Sequence, residues 1–423
     1  MERFRQQIDS KNLEGLKKAW EAFHKIGYTY DVHENNDVLF KCCCVHGSLD
    51  IVKWVYELSC SLNTQINIHC DHDEPFVLSC INNNNFDIAR WLYDKSCEIG
   101  DIIDISSNSN IFERVCMRGT KDMCERLYKF SEELNSPINL KMYGEQFFIY
   151  IWQYAGRCSF FPDKNNQDYS GVAMWFLKLL LGKNVDVDIN KIFFSICTEH
   201  KLLSKCEEEI EAIGLLQLLW DTALEKNIII NIHEDNELLF RTCCKYNYIN
   251  IAKLLYKLSR NINSPINIHI NDEECFMVNI LSTLTNSRFV SANGGKWYDM
   301  LDWLWNISCE INSPINIHVK DELIFRTLCF VDGTHMCLDY DKVVWLWEFS
   351  LRINSPINIE VNNHEIIKNC CNSGYIKLAR YICVLVPEYH ITCDNFRISY
   401  SLSPTLLDFI LAKRFDKISE NYE

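Results

Sequence analysis

Five histidines recur at one place in a repeated phrase of this sequence, and metal binding is the first chemistry to test on them. They are His33, His69, His233, His269 and His318, and the run Cys42–Cys44 could add thiolate ligands. A structural zinc site gathers four ligands within about 2.0–2.3 Å of one point, commonly with Cys-x-x-Cys spacing. The sequence contains no such Cys pair, and consecutive helix residues point about 100° apart. We therefore predict no metal site and no bound cofactor.

The spacing of the histidines indicates a column rather than a cluster. They recur once per repeat, and packed helices lie roughly 8–10 Å apart, so successive imidazoles cannot converge on one ion. We expect each histidine to hydrogen-bond a neighbouring backbone group instead.

The segments of the sequence that resemble catalytic motifs each lack residues that the motif requires. The segment Asn293–Lys296 contains the one Gly-Gly-Lys, but it lacks the spaced first glycine and the Ser/Thr after Lys that a phosphate-binding loop needs. Acidic residues cluster at Glu207–Glu211 and Asp71–Glu74, and runs of this kind are usually solvated faces. His-Glu-x-x-His is absent. We therefore predict no catalytic residues and no enzymatic activity.

Tryptophans occur in two close pairs, Trp303/Trp305 and Trp345/Trp347. Residues i and i+2 lie on different sides of a helix, so we expect one tryptophan of each pair to be exposed. Interface anchors are often Trp and Tyr, although aromatic residues at helical spacing are more often part of the core. Trp305 and Trp347, together with the five histidines, form the candidate interaction surface.

The sequence is built from repeats of two short helices and a connector. The connector phrase NSPINIH occupies residues 263–269 and 312–318, and looser copies precede His33, His69 and His233. Between two phrases lie two apolar runs with helical spacing, separated by a polar turn, as in residues 38–59 and 238–259. The alternation of apolar and polar residues in INIH favours a short strand-like finger. We call this connector the finger.

The repeats organise the whole chain. Residues 1–30 are expected to form an N-terminal capping repeat, 31–389 the array, and 390–423 a degenerate C-terminal cap. Insertions fall near 156–170, 201–211 and 287–296, where we expect loops. A helix pair cannot bury both apolar faces alone, whereas stacked pairs share one core. The predicted fold is an all-α solenoid of about ten divergent helix-pair repeats with short β-hairpin-like fingers.

The second helices resemble those of ankyrin repeats. HGSLDIVKWVY at residues 46–56, YNYINIAKLLY at 246–256 and SGYIKLARYIC at 373–383 carry the likeness, although the family's TPLH is replaced by VLFK, LLFR and EIIK. The INIH fingers and the Asn/Ile/Lys/Tyr bias resemble the ankyrin-repeat proteins of giant amoeba viruses such as mimivirus. The resemblance implies an ankyrin solenoid and, for nearly all members, no assigned biochemical activity.

The resemblance also accounts for many of the cysteines. Ankyrin repeats place two small residues where helix pairs come into close contact. Here these positions hold the pairs Cys43–Cys44, Cys243–Cys244 and Cys370–Cys371, and single cysteines at Cys80, Cys116, Cys197 and Cys329. A free cysteine behaves as a small buried hydrophobe. We predict that these thiols are packing residues.

Charge and targeting signals narrow the function. The net charge of −15 and the absence of a basic stripe argue against nucleic-acid binding. No apolar run is long enough for a signal peptide or a membrane span. We expect a cytoplasmic, monomeric protein, in the host cell if viral.

These observations favour a non-enzymatic scaffold that binds an unknown protein, which the viral resemblance makes a host candidate, through the concave face of the array. One alternative is an adaptor that recruits host ubiquitin-ligase machinery through its C-terminal tail. Another is a structural component of a virion.

Overall fold

The computed structural model describes residues 2–25, 31–81, 86–106, 110–158, 169–198, 206–282, 298–329, 340–359, 361 and 365–366. These residues form eighteen α-helices and one short 3₁₀-helix, and no β-strand occurs among them. The predicted all-α class is therefore confirmed. The β-hairpin-like form expected for the fingers is not found in this part of the chain, because the fingers fold as extended segments followed by turns.

Two compact units divide the chain, at residues 1–202 and 203–423. Unit 1 contains eleven of the described helices, which alternate between the first and the second helix of a repeat. Their bounds are α1 Glu2–Asp9, α2 Leu13–Lys25, α3 Glu34–His46, α4 Leu49–Ser61, α5 Cys70–Cys80, α6 Phe86–Ile99, α7 Ile111–Arg118, α8 Lys121–Glu133, α9 Gly144–Cys158, α10 Tyr169–Gly182 and α11 Ile189–Thr198.

Unit 2 contains the other seven described helices, and α12 is longer than any other. Their bounds are α12 Cys206–Glu225, α13 Glu234–Lys245, α14 Ile249–Asn261, α15 Ile270–Ser282, α16 Asp299–Glu310, α17 Val319–Cys329 and α18 Tyr340–Arg352. The insertion predicted as a loop near 201–211 is in part helical, because α12 already begins at Cys206.

Other predicted features fall partly or wholly outside the described residues. The insertion near 156–170 overlaps the ends of α9 and α10, and its central residues 159–168 lie outside. The insertion near 287–296, which includes Asn293–Lys296, lies wholly outside, as do Cys370–Cys371 and the C-terminal cap at 390–423.

Apolar periodicity explains why the helices pair. In α4 the residues Ile51, Val52 and Val55 are fully buried, and they fall on one face at helical spacing. In α3 the matching buried residues are Phe40 and Cys43. Burying a large aliphatic or aromatic side chain is worth roughly 1.5–3 kcal/mol. Successive first helices, such as α3 and α5, pack on each other as well, so each repeat completes its neighbour's core.

A phenylalanine at the same position of each of five repeats sets the register of the first helices. Each lies seven residues after a finger histidine and is at most 1% exposed: Phe40, Phe76, Phe240, Phe276 and Phe325. By sequence alone, residues 75–96 align with 38–59 without a gap and place Val77 opposite Phe40, and the structure corrects this alignment. Phe76, rather than Val77, matches Phe40, so the second of these repeats is one residue longer between its helices.

We call the cysteines assigned to the close contact between helix pairs the cysteine seam. Their predicted burial is confirmed wherever the structure describes them. Eight of the cysteines assigned to the contact between helix pairs are at most 1% exposed: Cys43, Cys44, Cys80, Cys116, Cys197, Cys243, Cys244 and Cys329. Burial raises the pKa of the Cys197 thiol, for example. Every cysteine whose side chain the structure describes is a thiol, and none of them forms a disulfide.

Asparagine ends most of the second helices. Asn63, just after α4, has a left-handed φ of 56°. Its N–H donates to the carbonyl of Cys60, and the N–H of Thr64 donates to the carbonyl of Ser59, which together form a Schellman motif. The same left-handed asparagine follows later helices at Asn135, Asn184, Asn227, Asn263, Asn312 and Asn354. The proline of the NSP phrase therefore follows a helix that asparagine has already ended.

Candidate functional site: fingers and first-helix face

A buried serine anchors five of the described fingers, each to the helix before it. The hydroxyl of Ser59 donates to the carbonyl of Tyr56 at 2.6 Å and accepts the N–H of Ile66 at 3.2 Å. The serine and isoleucine are seven residues apart, and the same bond recurs at the pairs Ser96–Ile103, Ser131–Ile138, Ser259–Ile266 and Ser308–Ile315. The finger isoleucine is thereby fixed in the core.

The finger then reverses through a short left-handed turn, which occupies the first residues of the bounds given above for α3, α5, α13, α15 and α17, before the regular helix begins. The asparagine of INIH accepts the N–H of the histidine two residues later, for example Asn67 from His69 at 2.9 Å. After the histidine come three consecutive residues with positive φ. In the first finger these are Asn35–Asp37, with φ of 52°, 59° and 58°. The same turn occurs at 71–73, 235–237, 271–273 and 320–322. Asn and Asp dominate these positions because they tolerate left-handed backbone better than other non-glycine residues.

Each finger histidine is bonded across this turn to the acidic residue four positions later. We call the pair a latch. The Nδ1 atoms lie 2.6–3.0 Å from a carboxylate oxygen in all five latches: His33–Asp37, His69–Asp73, His233–Glu237, His269–Glu273 and His318–Glu322. A left-handed residue costs roughly 1–2 kcal/mol, and the latch offsets part of that cost. The sequence analysis missed the five acids, although their constant spacing from the histidines is visible in the sequence.

The latches of unit 2 also join neighbouring fingers. Glu237 accepts the backbone N–H of Asn267 at 3.2 Å, and Glu273 accepts that of Asn316 at 3.1 Å. Glu322 does the same for Asn358 at 2.9 Å. These carboxylates are buried. Each therefore sets the position of the next finger as well as its own.

In the first latch of unit 1 the acid is an aspartate, and the imidazole makes the bond between fingers. His33 Nε2 lies 2.8 Å from the carbonyl oxygen of Thr64. The expectation that each finger histidine bonds a neighbouring backbone group is thus confirmed at His33, but it is wrong for His69, His233 and His269, whose Nε2 atoms have no hydrogen-bond partner among the described residues. At the end of unit 2, His318 Nε2 lies 2.7 Å from the hydroxyl of Ser355 instead.

The finger histidines are partly buried, with side chains 21–32% exposed. They hold the fingers in place, and they occupy equivalent positions in successive repeats. No group of three or more His, Cys, Asp or Glu side chains in the described ranges is arranged to hold a metal ion.

The first helices present a second surface, which we call the first-helix face: the partly exposed sides of α3, α5 and α7 in unit 1 and of α13, α15 and α17 in unit 2. At the start of unit 1 it borders an open groove of 760 Å³ between α1, α3 and α5. Val38, Val45 and Leu78 supply apolar lining, and Arg5 and Asp9 supply charged lining. The groove thus combines apolar and charged chemistry on one accessible surface.

Ion pairs connect neighbouring repeats along the first-helix face. They are Lys41–Asp71 at 2.5 Å and Arg118–Glu74 at 2.8 Å in unit 1, and Arg241–Glu274 at 2.8 Å and Arg326–Glu365 at 2.7 Å in unit 2. The hydrogen bond from Lys41 lowers the pKa of the Asp71 carboxyl. A partly exposed pair such as Arg241–Glu274 contributes roughly 0.2–1 kcal/mol. These ion pairs therefore contribute more to the alignment of neighbouring repeats than to the free energy of unfolding.

The tryptophan pairs correct one expectation, because all four side chains are partly buried. Trp303 packs against Tyr256 with ring centroids 6.0 Å apart, and Trp305 packs against Phe349 at 5.2 Å. The two sides of α16 therefore face the second helices before and after it. The other pair makes similar contacts, Trp345 with Tyr298 at 6.2 Å and Trp347 with Phe325 at 6.3 Å. Both Trp305 and Trp347 serve packing.

One acid of the run expected to be solvated is buried. Glu209 is 4% exposed, and its carboxylate accepts the backbone N–H groups of Asn250 and Ile251 at 3.0 and 3.3 Å. These two residues lie in the first turn of α14, whose N–H groups have no partner within the helix. Glu209 therefore caps α14 from the neighbouring helix α12.

No protein-family model and no curated protein matches the chain. Among the residues described, no helix combines the length and the apolar character needed to cross a membrane.

Proposed function

We propose that the protein is a non-enzymatic scaffold of the ankyrin type that binds another polypeptide through its first-helix face. The order of elements supports the ankyrin assignment: first helix, second helix and finger follow one another in each described repeat. The groove between α1, α3 and α5 carries the proposal, because apolar and charged side chains line it together.

The chemistry of the groove supports binding rather than catalysis. Its cysteine, Cys42, is half-buried, and burial raises the pKa of this thiol, which disfavours the nucleophilic thiolate. Lys41 is held by Asp71 at 2.5 Å. The Lys41–Asp71 ion pair and the half-buried Cys42 thus have structural roles. Val38, Val45 and Leu78 form an apolar strip that a ligand can contact.

The occupant that fits this groove is a linear peptide segment with apolar side chains at intervals. Ligand sites in proteins are mostly apolar, with a few polar groups that fix orientation. A host protein is the candidate source of the segment, as the likeness to viral ankyrin proteins suggests. The assignment of the segment to a host protein is part of this proposal.

The test is a selection of linear peptides from a random display library against the full chain. Selected peptides should lose at least about tenfold in affinity when Leu78→Asp places a charge in the apolar strip. The matched control is Glu57→Lys on the exposed side of α4, which should leave affinity within about twofold. Peptides that respond to Glu57→Lys and not to Leu78→Asp would contradict the assignment, as would a selection that yields no binder.

A further inference from the structure

The two ring nitrogens of His33 both face groups that can only accept a hydrogen bond. Nδ1 lies 2.7 Å from Asp37 Oδ1, and Nε2 lies 2.8 Å from the carbonyl oxygen of Thr64. A neutral imidazole carries one N–H and can satisfy one of these acceptors, whereas the imidazolium carries two N–H groups and satisfies both. The observed geometry therefore requires the protonated ring.

We propose that His33 is a proton-controlled tie between the first two fingers of unit 1. The imidazolium joins Asp37 of its own finger to Thr64 of the next finger. On loss of one proton, the remaining N–H stays with the carboxylate, because a charged acceptor makes the stronger bond. The contact with Thr64 is then released, and the second finger loses its bond to the first.

The charged groups around His33 support this role. Partial burial lowers its pKa, but the hydrogen bonds from the ring to Thr64 and Asp37 and the charges of Asp37 and Asp31 outweigh burial, so the pKa is raised above 6.5. The nearby ammonium of Lys41 is neutralised by Asp71, which belongs to α5 and lies 2.5 Å away. Asp71 also accepts a hydrogen bond from Asn36 at 2.5 Å.

The sign of the pH dependence follows from the raised pKa. The folded protein binds this proton more tightly than the unfolded chain does, so the tie contributes its full stability below about pH 6.5. That contribution is lost as the pH rises through the folded-state value. The contact between the fingers therefore weakens on going from mildly acidic to neutral and alkaline conditions.

His318 provides a control within the same chain. Its Nδ1 also meets a carboxylate, that of Glu322, but its Nε2 meets the hydroxyl of Ser355. A hydroxyl can donate as well as accept, so a neutral His318 with its proton on Nδ1 keeps both bonds. The contact between His318 and Ser355 should persist when His33 releases Thr64.

The experiment is an NMR titration of the full chain carrying ¹³C-labelled histidine rings and backbone carbonyls. His33→Gln and His318→Gln identify the two ring signals. The His33 midpoint should lie above 6.5, and the carbonyl shift of Thr64 should move with the same midpoint. Asp37→Asn, which removes the carboxylate and keeps its shape, should lower the His33 midpoint.

Two results would overturn the proposal in the unmodified protein, whether or not the Asp37→Asn variant folds. The first is a His33 midpoint at or below 6.5. The second is a Thr64 carbonyl shift that does not follow the titration of His33. Neither result depends on any binding partner, so the tie is tested independently of the proposed scaffold function.

Discussion

The carboxylate of Glu209 is bonded to Asn250 at two points. One oxygen accepts the backbone N–H at 3.0 Å and the other accepts the side-chain Nδ2 at 2.8 Å. Asn250 lies in the first turn of α14, where a negative charge also interacts favourably with the helix dipole. A residue from a predicted insertion is thus built into the structure of the following repeat.

Replacement of Glu209 should destabilise the protein. We expect Glu209→Ala to lower the free energy of unfolding by about 2 kcal/mol, because it removes a charged cap and leaves the buried N–H of Ile251 and the part-buried N–H of Asn250 unpaired. Urea denaturation measures this loss. Asp221, on the exposed side of the same helix, is the control, and Asp221→Ala should cost less than about 0.5 kcal/mol. Equal losses in the two variants would contradict the capping role.

The adjacent acids Glu273 and Glu274 should differ in what they contribute. Glu273 is buried and bonded to His269 and to the N–H of Asn316, so Glu273→Ala should cost about 2–3 kcal/mol. Glu274 forms a partly exposed ion pair with Arg241, and its replacement by Ala should cost about 1 kcal/mol or less. Unfolding of the two variants in urea compares them, and a larger loss for Glu274→Ala would refute the latch.

Two serines of α4 offer a sharper comparison. Ser59 is buried and accepts the N–H of Ile66, whereas Ser61 is exposed and bonds the carbonyl of Leu58. Ser59→Ala should lower the hydrogen-exchange protection of the Ile66 amide by an amount equivalent to about 1–3 kcal/mol. Ser61→Ala should leave that amide unchanged. Unaltered protection in Ser59→Ala would show that the finger is anchored by other contacts.

Cysteine reactivity should separate two classes of thiol. Cys60, Cys97 and Cys309 are exposed, and they should react with a maleimide in the native protein. The buried thiols should react after denaturation, since burial blocks access to them and raises the pKa of thiols such as Cys70, to about 11. Mass spectrometry of the labelled peptides assigns each site. Rapid labelling of Cys44 in the native state would argue against its packing role.

The sequence predicted well what depends on hydrophobic periodicity. The helix pairs and the buried cysteine seam, such as Cys43 and Cys44, follow from apolar spacing and from the ankyrin likeness. The left-handed turns could not be predicted in this way, because periodicity carries no information on the sign of φ. Glu209 was misjudged because a charged run indicates solvation unless a partner is known, and its partners lie about forty residues away.

The tryptophans show a related limit of prediction from helical periodicity. Trp303 and Trp305 point in different directions, as their spacing requires, and the expectation of an exposed side chain followed from treating a helix as having one buried side. A helix inside a stack has neighbours on both sides, so both tryptophans are partly buried. The latch acids, by contrast, were within reach, since Asp37 and Glu237 stand at the same distance from their histidines.

The bonds between fingers decide where the chain tolerates a change of length. His233 and His269 are 36 residues apart, whereas His269 and His318 are 49 apart. The bond from the later finger to the earlier glutamate is nearly the same in both cases, 3.2 Å at Asn267 and 3.1 Å at Asn316. The additional residues enter between α15 and α16, and the finger is left intact. The segment between the two helices of a repeat is therefore the place to graft a reporter or an epitope.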